Sequence, residues 1–424
     1  MASDALKPRK VAVDLLGDVV EGKRLLSEVL PRRTEKLAPD DRARAQRLAV
    51  SSLRCLDRAD RMLGPHLKKR PPLRVLNILR LGVTEICEEG AAAHGVVNSA
   101  VAIARGGRKT AGMAGLVNAV LRKVAGEAEK WAALPVPRLP KWLRKPLIDD
   151  YGKEAVLAME AAHYAGAPLD LTAKADPASL AERLGGTLLP TGSVRLTGPV
   201  QVTSLPGYDS GDWWVQDAGA ALPAMVLGAQ PGEQVLDLCA APGGKAMQLA
   251  ATGAQVTAVD VSPSRMARLE QNLARTGLTA QVVVADALEY EGGPFDAVLL
   301  DAPCTATGTI RRHPDLPYAK DGSEFPGLFE LQEYLIDRAL GLLRPGGRLV
   351  YCTCSLLIDE GEEQVRDALA RHPGLAADPA PLALPGLEPG WIGAEGGLRL
   401  RPDYWPDHGG MDGFYIACLT KPMT

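Results

Sequence analysis

The sequence predicts a multidomain chain in which an all-α bundle is followed by a small α+β segment and then by an α/β domain with a doubly wound parallel sheet. Three observations predict this order. From Lys10 to about Val124, apolar residues recur at spacings of three and four, as in amphipathic helices. From Gln234 onward, short apolar runs alternate with helical patterns. The length of 424 residues exceeds what one ordinary hydrophobic core supports.

The N-terminal part of the chain predicts several helices that end before a linker. The runs 11–16 and 73–81 carry apolar residues on one helical face. Pro71-Pro72 stands at a helix start, where a missing N–H costs nothing. The proline-rich run 134–140 predicts a semi-rigid linker. We therefore expect three parts, namely a helical domain over 1–132, a linker with a small α+β segment over 133–215, and an α/β domain over 216–424.

Apolar runs in the C-terminal half predict the strands of one sheet. Five predict parallel strands, and a sixth predicts a last strand after a surface loop over 372–397. The six runs are 235–238, 255–259, 280–284, 297–300, 348–351 and 413–418. In a parallel α/β sheet, residues just past the carboxyl ends of strands face the ligand crevice. The polar residues that follow these runs are therefore candidate site residues.

The charge of the chain is divided unevenly. Residues 1–145 hold 29 Lys+Arg against 15 Asp+Glu, and the remaining residues hold 19 against 36, which gives the net charge of −3. A basic module joined to an acidic one predicts that the first contacts a polyanion, either RNA or DNA. A solvated helical surface explains the charge equally well.

The sequence indicates the cellular compartment in which the protein is expected. No run of eighteen apolar residues exists, which excludes a transmembrane helix. The start of the chain, Met1–Asp4, lacks the apolar core of a signal peptide, so we expect a cytoplasmic protein. Seven scattered cysteines suit a reducing compartment better than a disulfide framework.

A loop of small residues, 237–245, follows the first strand of the predicted sheet and leads into a helix. Small residues let backbone N–H groups approach a ligand at a helix N-terminus. Neither a Walker phosphate loop nor a dinucleotide fingerprint is present, so a nucleoside without phosphates suits the loop better. Asp260, at the end of the second strand, is expected to bind ribose hydroxyls. Asp286, at the end of the third strand, is expected to accept a hydrogen bond from an adenine amino group. The alternative for each Asp is a structural role, in which its side chain caps a turn or helix. Ser262 and Pro263 are predicted to be the N-cap and the first residue of the next helix.

Two cysteines carry the strongest chemical signal. Cys304 in Asp-Ala-Pro-Cys and Cys354 in Thr-Cys-Ser each follow a strand run, and two thiols in one crevice predict covalent chemistry with a nucleophile and a helper. Cys352 and Cys354 form C-x-C without a second ligand pair, so no metal site is predicted. Free cysteines are usually small buried apolar residues. We expect that role for Cys55, Cys87, Cys239 and Cys418, and a structural role for His94 and His163.

At these motifs the chain resembles the S-adenosylmethionine-dependent RNA cytosine-5 methyltransferases of the NOL1/NOP2/Sun family, and more narrowly its bacterial Sun (RsmB-type) branch, which modifies small-subunit ribosomal RNA. The matching motifs are 236–245, 301–304 and 353–355, with 216–218 and 311–315, and the N-terminal part is similar to the NusB fold at 94–98 and 116–122. The resemblance implies a NusB-like RNA-binding bundle and a Rossmann-like class I methyltransferase domain that binds S-adenosyl-L-methionine.

The resemblance also implies roles. Cys354 is implied as the nucleophile at C6 of cytosine, Cys304 as the residue that assists elimination and enzyme release, and Asp301 as a hydrogen-bond partner of the cytosine N3/N4 edge. Lys245 either contacts the target base or lies at the crevice edge. The residues implied to contact the cofactor are Cys239, Ala240, Ala241, Pro242, Gly243, Gly244, Lys245, Asp260, Arg265, Asp286 and Asp301. Arg311, Arg312 and His313 lie just beyond Cys304, where we expect them to hold the RNA backbone.

Some positions of the chain depart from the family pattern. Ala246 replaces a threonine, Cys352 replaces a serine or another small residue, and 171–174 lacks the usual arginine and asparagine.

The expected partner is small-subunit (16S) ribosomal RNA, bound by a monomer, without DNA or a membrane. Alternatives are the same chemistry on transfer RNA or another ribosomal RNA site, and a non-catalytic RNA-binding assembly factor. DNA cytosine-5 methyltransferases would instead make Cys304 the nucleophile.

Overall fold

In the computed structural model, which describes residues 6–198 and 200–423, the chain forms two compact units. The first unit contains the described residues up to Ala165 together with a later segment, Ile310–Gly322, and the second contains Gly166–Thr309 and the described residues from Ser323 onward. The sequence placed boundaries at 132 and 215, and its three-part division stays a prediction. Met1–Asp4, on which the cytoplasmic expectation depends, lies outside the described residues.

The described residues contain helices of very different lengths. The helices are α1 (Lys7–Val20), α2 (Leu26–Thr34), α3 (Pro39–Arg54), α4 (Leu56–Leu63), α5 (Leu73–Val83), α6 (Ala93–Arg105), α7 (Ala114–Ala125), α8 (Lys141–Ala165), α9 (Pro177–Leu184), α10 (Ala218–Leu227), α11 (Gly244–Ala251), α12 (Pro263–Thr276), α13 (Leu316–Ala319), α14 (Phe325–Leu342) and α15 (Glu362–Arg371). Helices α1–α8 and α13 belong to the first unit. Gly152 interrupts α8 with a positive φ of 81°.

The strands form two sheets in the second unit. They are β1 (Leu169–Ala173), β2 (Thr187–Leu188), β3 (Val194–Leu196), β4 (Trp213–Val215), β5 (Gln234–Leu238), β6 (Gln255–Asp260), β7 (Gln281–Val284), β8 (Phe295–Asp301), β9 (Leu343–Thr353), β10 (Ala376–Ala377), β11 (Leu398–Leu400) and β12 (Phe414–Thr420). A small antiparallel sheet has the order β2-β3-β1-β4. The large sheet has the order β10-β12-β9-β8-β5-β6-β7, and β11 pairs with β12.

The helical prediction for the N-terminal part is confirmed. Pro72 directly precedes α5, whose residues from Val75 to Val83 are all buried, so this helix forms the centre of the bundle. Arg80 is buried within it because its guanidinium pairs with the Asp60 carboxylate at 2.6 Å. The bundle therefore neutralises the buried charge of its central helix, as burial requires.

Two segments that the sequence assigned elsewhere pack into the first unit. The proline-rich run 134–140 forms no helix or strand, but Leu139 is buried and its N–H donates to Glu160 Oε1 at 2.8 Å. In the later segment, Arg54 Nη2 donates to the carbonyl of Arg311 at 2.9 Å. Arg311 is completely buried, so the expectation that its side chain holds the RNA backbone is wrong, whereas Arg312 and His313 are exposed.

The predicted strands of the α/β domain are confirmed, with β5–β9 parallel and β12 antiparallel to β9. The Ser262 side chain caps α12 and Pro263 begins it, as predicted. The predicted surface loop over 372–397 contains the short strand β10 and the buried Leu382. Across the described ranges, no helix combines the length and apolarity needed to cross a bilayer.

The order of the parallel strands places the crevice. The chain passes from β5 outward through β6 to β7, then returns to the other side of β5 with β8 and β9. This reversal between β5 and β8 is a topological switch point, and ligands bind outside the carboxyl ends of the strands there. The loops after β5 and β8 carry residues 239–245 and 302–304, so the switch point gathers the predicted site.

Candidate active site

The loop after β5 turns sharply into α11. Cys239 has a φ of 62° and Gly243, which precedes α11, a φ of 103°. A Cβ on Gly243 would also lie 2.7 Å from a side-chain atom of Leu269, so both conformation and space require glycine. The N–H of Ala240 donates to the carbonyl of Val259 at 3.0 Å. The loop is therefore fixed to β6 as well as to β5.

Asp260, at the end of β6, holds this loop from the side. It is buried, and its Oδ2 accepts from the N–H of Ala241 at 3.2 Å while Oδ1 accepts from the N–H of Ser262 at 2.9 Å. Arg265 Nη1 lies 3.5 Å from Oδ2, and Arg265 Nη2 donates to the carbonyl of Ala241. Asp260, Arg265 and the loop are thus brought together, as expected for one binding site.

Asp286 follows β7, the neighbour of β6. Its side chain is exposed, and Oδ1 accepts from the N–H of Leu288 at 2.9 Å. The carboxylate therefore caps a turn, which is the structural role named above as the alternative to adenine binding. It also lies at the same edge of the sheet as Asp260.

Asp237, in β5 beneath the loop, is completely buried, and neither of its oxygens has a hydrogen-bond partner among the described side chains and backbone groups. Burial, and then the negative charge of Asp301, raise the pKa of Asp237 well above its usual range. A buried carboxyl that no protein group satisfies is uncommon, because such a group costs free energy.

The two cysteines meet at the ends of adjacent strands. The Sγ atoms of Cys304 and Cys354 lie 3.5 Å apart, and both side chains are half-buried. Backbone hydrogen bonds join the two loops, from Ala302 N–H to the carbonyl of Cys352 at 3.0 Å and from Gly308 N–H to that of Cys354 at 2.9 Å. The hydrogen bond to Cys354, followed by burial, raises the pKa of Cys304 well above the usual range of a thiol. The Cys304 thiol therefore keeps its proton at neutral pH.

Asp301 ends β8 beside the cysteines, and two side chains orient it. Lys245 Nζ donates to Oδ2 at 2.7 Å, and the thiol of Cys352 donates to Oδ1 at 3.5 Å. Burial alone would lower the pKa of Lys245, but the charge of Asp301 raises it above its ordinary value. Lys245 therefore stays cationic and links the small-residue loop to the cysteine loops, with its Nζ 5.4 Å from the centre of the Phe414 ring.

Sequence reasoning missed the residues that hold the cysteine loops in place. Thr305, Gln332 and Glu360 are all completely buried, and both Thr305 and Gln332 donate hydrogen bonds to the Glu360 carboxylate. Glu360 lies 55 residues from Thr305, so no local pattern could have paired them. The sequence holds one sign of this network. Gln332 is a polar residue at a position of α14 where the helical pattern predicts an apolar one.

Four further cysteines form no hydrogen bond with this pair among the described residues. Cys55 and Cys87 belong to the helical unit, Cys418 is buried in β12, and Cys239 is half-buried in the loop after β5. Burial raises the pKa of Cys87 to about 11 and that of Cys55 to about 12. In the part of the chain that the structure describes, no group of three or more His, Cys, Asp or Glu residues is arranged to hold a metal ion.

Comparisons with known proteins match both parts of the chain. Residues 224–420 match the family model of the 16S rRNA methyltransferase RsmB/F, and residues 6–126 match the NusB family. The ribosomal RNA small subunit methyltransferase B of Vibrio cholerae is 34% identical over 440 residues, covering 97% of each chain. The crystal structure of PH0851, with a TM-score of 0.74 and 22% identity, covers 98% of this chain and 99% of its own and shares the fold. A methyltransferase homologue from Pyrococcus horikoshii is 29% identical with a TM-score of 0.55, covering 66% of this chain and 95% of its own.

Proposed function

Because the chain belongs to the ribosomal RNA small subunit methyltransferase B family, we propose that it transfers a methyl group from S-adenosylmethionine to C5 of a cytosine in small-subunit (16S) ribosomal RNA. The observation that carries the proposal is the distance of 3.5 Å between Cys304 Sγ and Cys354 Sγ. C5 of cytosine is a poor nucleophile until a thiolate adds at C6. A pair of thiols supplies one sulfur for that bond and a second that carries a proton.

The residues at the switch point fit the adenosyl cofactor that this family of methyltransferases uses. The Asp260 carboxylate is fixed at a strand end beside a loop of small residues, where ribose hydroxyls are bound in nucleotide-binding α/β folds. The one cation of the loop, Lys245, is paired with Asp301, so the loop offers no side chain for a phosphate. The unpartnered oxygens of Asp237 lie beneath it. When bound, S-adenosylmethionine supplies an electrophilic methyl group on a positively charged sulfur.

The groups proposed to hold this cofactor are those implied by the family motifs, namely the loop Cys239, Ala240, Ala241, Pro242, Gly243, Gly244 and Lys245 with Asp260, Arg265, Asp286 and Asp301. Asp260 and Arg265 contact the loop directly. Asp286 stands on the next strand with one oxygen committed to its own turn.

Cys354 is proposed as the nucleophile. Its thiolate forms the S–C6 bond, and the electron pair of the C5=C6 double bond moves to C5, which becomes the attacking carbon. Asp301 hydrogen-bonds the N3/N4 edge of the base and favours its protonated form. Lys245 and Cys352 hold the two oxygens of Asp301, so the carboxylate needs no reorientation when the base arrives.

Cys304 is proposed to resolve the adduct. After methylation, the C5 proton must leave, the C5=C6 double bond must re-form and the S–C6 bond must break, with its electron pair returning to the sulfur of Cys354. The thiol of Cys304 gives its proton to that leaving thiolate, and the resulting Cys304 thiolate accepts the proton from C5. The raised pKa of Cys304 suits a residue that carries a proton.

The rest of the proposal concerns the substrate. The target base must leave its stack to reach the half-buried cysteines, as base-modifying enzymes require. The basic surplus of residues 1–145 supports RNA binding by the NusB-like part. We propose that the protein acts in the cytoplasm as a monomer, with neither DNA nor a membrane as partner. Transfer RNA or another ribosomal RNA site is the alternative substrate.

Covalent trapping tests the proposal. Wild type, Cys304→Ala and Cys354→Ala are incubated with total cellular RNA and S-adenosylmethionine, resolved on denaturing gels, and any attached RNA is sequenced. We expect an adduct that accumulates with Cys304→Ala and is absent with Cys354→Ala, and attached RNA from the small subunit. Cys418→Ala, which changes a cysteine buried in β12, is the matched control and should behave as wild type. An adduct retained by Cys354→Ala and lost in Cys304→Ala would reverse the assignment.

A further inference from the structure

The side chain of Glu360 lies completely buried next to the peptide that carries Cys304. Its carboxylate accepts from the backbone N–H of Thr305 at 2.9 Å, from Thr305 Oγ1 at 2.5 Å and from Gln332 Nε2 at 3.0 Å. Thr305 directly follows Cys304. Gln332 Nε2 also donates to the carbonyl of Pro303 at 2.8 Å, on the other side of the cysteine. One hydrogen-bonded pair, Glu360 and Gln332, therefore fixes the backbone on both sides of Cys304.

The same network reaches the second cysteine. Ser355 directly follows Cys354, and its Oγ lies 3.1 Å from Thr305 Oγ1 and 3.2 Å from Thr307 Oγ1. The hydroxyl of Thr307 also accepts from the backbone N–H of Leu356 at 2.9 Å. Displacing Thr305 would thus displace both cysteine loops, since its hydroxyl is shared between Glu360 and Ser355.

The charge of Glu360 acts on the same pair. Among residues 6–198 and 200–423, no Lys, Arg or His forms an ion pair with its carboxylate, which only neutral donors contact. The titratable groups that face Cys304 are Cys354 after β9, Glu360 and Tyr351 within β9. A buried negative charge opposes formation of a thiolate nearby. The hydrogen bond to Cys354 raises the pKa of Cys304 most, and the charge of Glu360 raises it further.

We propose that Glu360 is a positioning residue that holds Cys304 against Cys354 and keeps Cys304 as the proton-carrying thiol of the pair. This inference deepens the proposed function and depends on it for its effect on turnover. Its effect on the thiol depends only on the contacts and charges of the folded protein.

The first test therefore uses the full chain without RNA or cofactor. Cys304 is alkylated with iodoacetamide at a series of pH values, and the modified peptide is measured by mass spectrometry; the thiolate displaces iodide and forms the S–C bond. Glu360→Gln keeps the shape of the side chain and removes its charge. We expect the pH of half-maximal Cys304 alkylation to fall by about one unit. The matched control is Glu395→Gln, another buried glutamate, whose carboxylate accepts from the Tyr415 hydroxyl at 3.0 Å, and it should leave the profile unchanged. A profile for Glu360→Gln identical to that of wild type would overturn the proposal.

A second test measures turnover and covers the case in which Glu360→Gln does not fold. Thr305→Val removes the hydroxyl that Glu360 and Ser355 share and leaves the charge of Glu360 in place. We expect kcat to fall about tenfold with KM for RNA unchanged, because misplacing a reacting group slows chemistry rather than binding, and no downward shift of the Cys304 alkylation profile. A wild-type kcat in Thr305→Val would contradict the positioning role. If wild type itself methylates no RNA, the proposed function fails while the alkylation profiles still decide the role of Glu360.

Discussion

Cys304 Sγ lies 3.5 Å from Cys354 Sγ although 50 residues separate the two in the sequence. The distance follows from topology. β8 and β9 are adjacent parallel strands whose register places Asp301 opposite Cys352, and each cysteine follows its strand within three residues. Because the two sulfur atoms are in contact, a chemical change at one thiol alters the surroundings and the reactivity of the other.

Mild oxidation should join the two cysteines. Hydrogen peroxide would take one hydrogen from each thiol of Cys304 and Cys354, forming the S–S bond and two waters, since sulfur atoms at this distance need little movement to bond. We expect methyl transfer to be lost on oxidation and restored by dithiothreitol. Mass spectrometry of unreduced peptides should find the two linked. Cys418→Ala should show the same loss and recovery, and activity that survives complete linkage would exclude a role for either thiol in the reaction.

Removing the charge of Asp260 should weaken cofactor binding. Its carboxylate anchors the N–H groups of Ala241 and Ser262 and is the proposed partner of the ribose hydroxyls. We expect Asp260→Asn to raise the Kd of S-adenosylmethionine about tenfold, as the loss of a charge-assisted hydrogen bond of 1.5–3 kcal/mol implies at its lower end. Isothermal titration calorimetry measures this directly. Asp296→Asn, which changes a carboxylate at the opposite end of β8, is the control, and an equal Kd for Asp260→Asn would place the ribose elsewhere.

Much of the fold could be predicted because its signals are local. The apolar runs over 235–238 and 297–300 fall within β5 and β8, and Ser262 caps α12 as its sequence context indicates. Residues that follow parallel strands must meet at one edge, so the site could be located without any structure. Cys304 and Cys354 could be paired for the same reason.

What the sequence could not predict depends on contacts between distant residues. Arg311 follows Cys304 closely in the sequence and was expected beside the substrate, but the chain leaves the second unit at Ile310 and buries Arg311 in the first. Glu360 appears in the sequence as one acidic residue among several near 359–363. Its bonds to Thr305 exist only once β8 and β9 pair, and its bond to Gln332 only once α14 packs beside them.

Acid should destabilise the protein through His163. Both ring nitrogens of this histidine are buried without a hydrogen-bond partner, and burial, together with the positive charge of Arg311, lowers its pKa to about 3. The unfolded chain takes up the proton near the ordinary histidine pKa of about 6.5, so below that pH the unfolded state binds more protons than the folded one. Stability is unaffected above about pH 7 and falls as the pH drops towards 3. Between about pH 7 and pH 5 the loss amounts to about 2 kcal/mol.

Replacing His163 should remove this part of the acid sensitivity. We expect His163→Phe to lose about 2 kcal/mol less free energy of unfolding than wild type between about pH 7 and pH 5, measured by urea denaturation at each pH. His94→Gln, which changes an exposed histidine of α6, is the matched control. Equal pH dependence in wild type and His163→Phe would show that the imidazole is protonated in the folded protein.

RNA binding should weaken steeply with salt. The surplus of Lys and Arg in residues 1–145 predicts that backbone phosphates are neutralised there, with release of counterions. We expect the logarithm of the affinity to fall linearly with the logarithm of the salt concentration, measured by filter binding of the full chain to small-subunit ribosomal RNA. A fragment that ends near residue 130 would lack α8 and Ile310–Gly322, which belong to the same unit. An affinity that does not change with salt would contradict the charge argument.

Asp315 should stabilise the helical unit across a gap of 289 residues. Its Oδ2 accepts from the N–H of Leu26 at 2.7 Å, at the start of α2, where Leu25 provides no side-chain cap. Because Asp315 is buried, Asp315→Ala would leave that N–H unsatisfied, and we expect the free energy of unfolding to fall by about 1–3 kcal/mol. Urea denaturation followed by circular dichroism measures the loss. Asp367→Ala, which removes an exposed carboxylate from α15, should change stability by no more than about 0.5 kcal/mol. An equally small effect of Asp315→Ala would mean that Ile310–Gly322 does not hold α2 in solution.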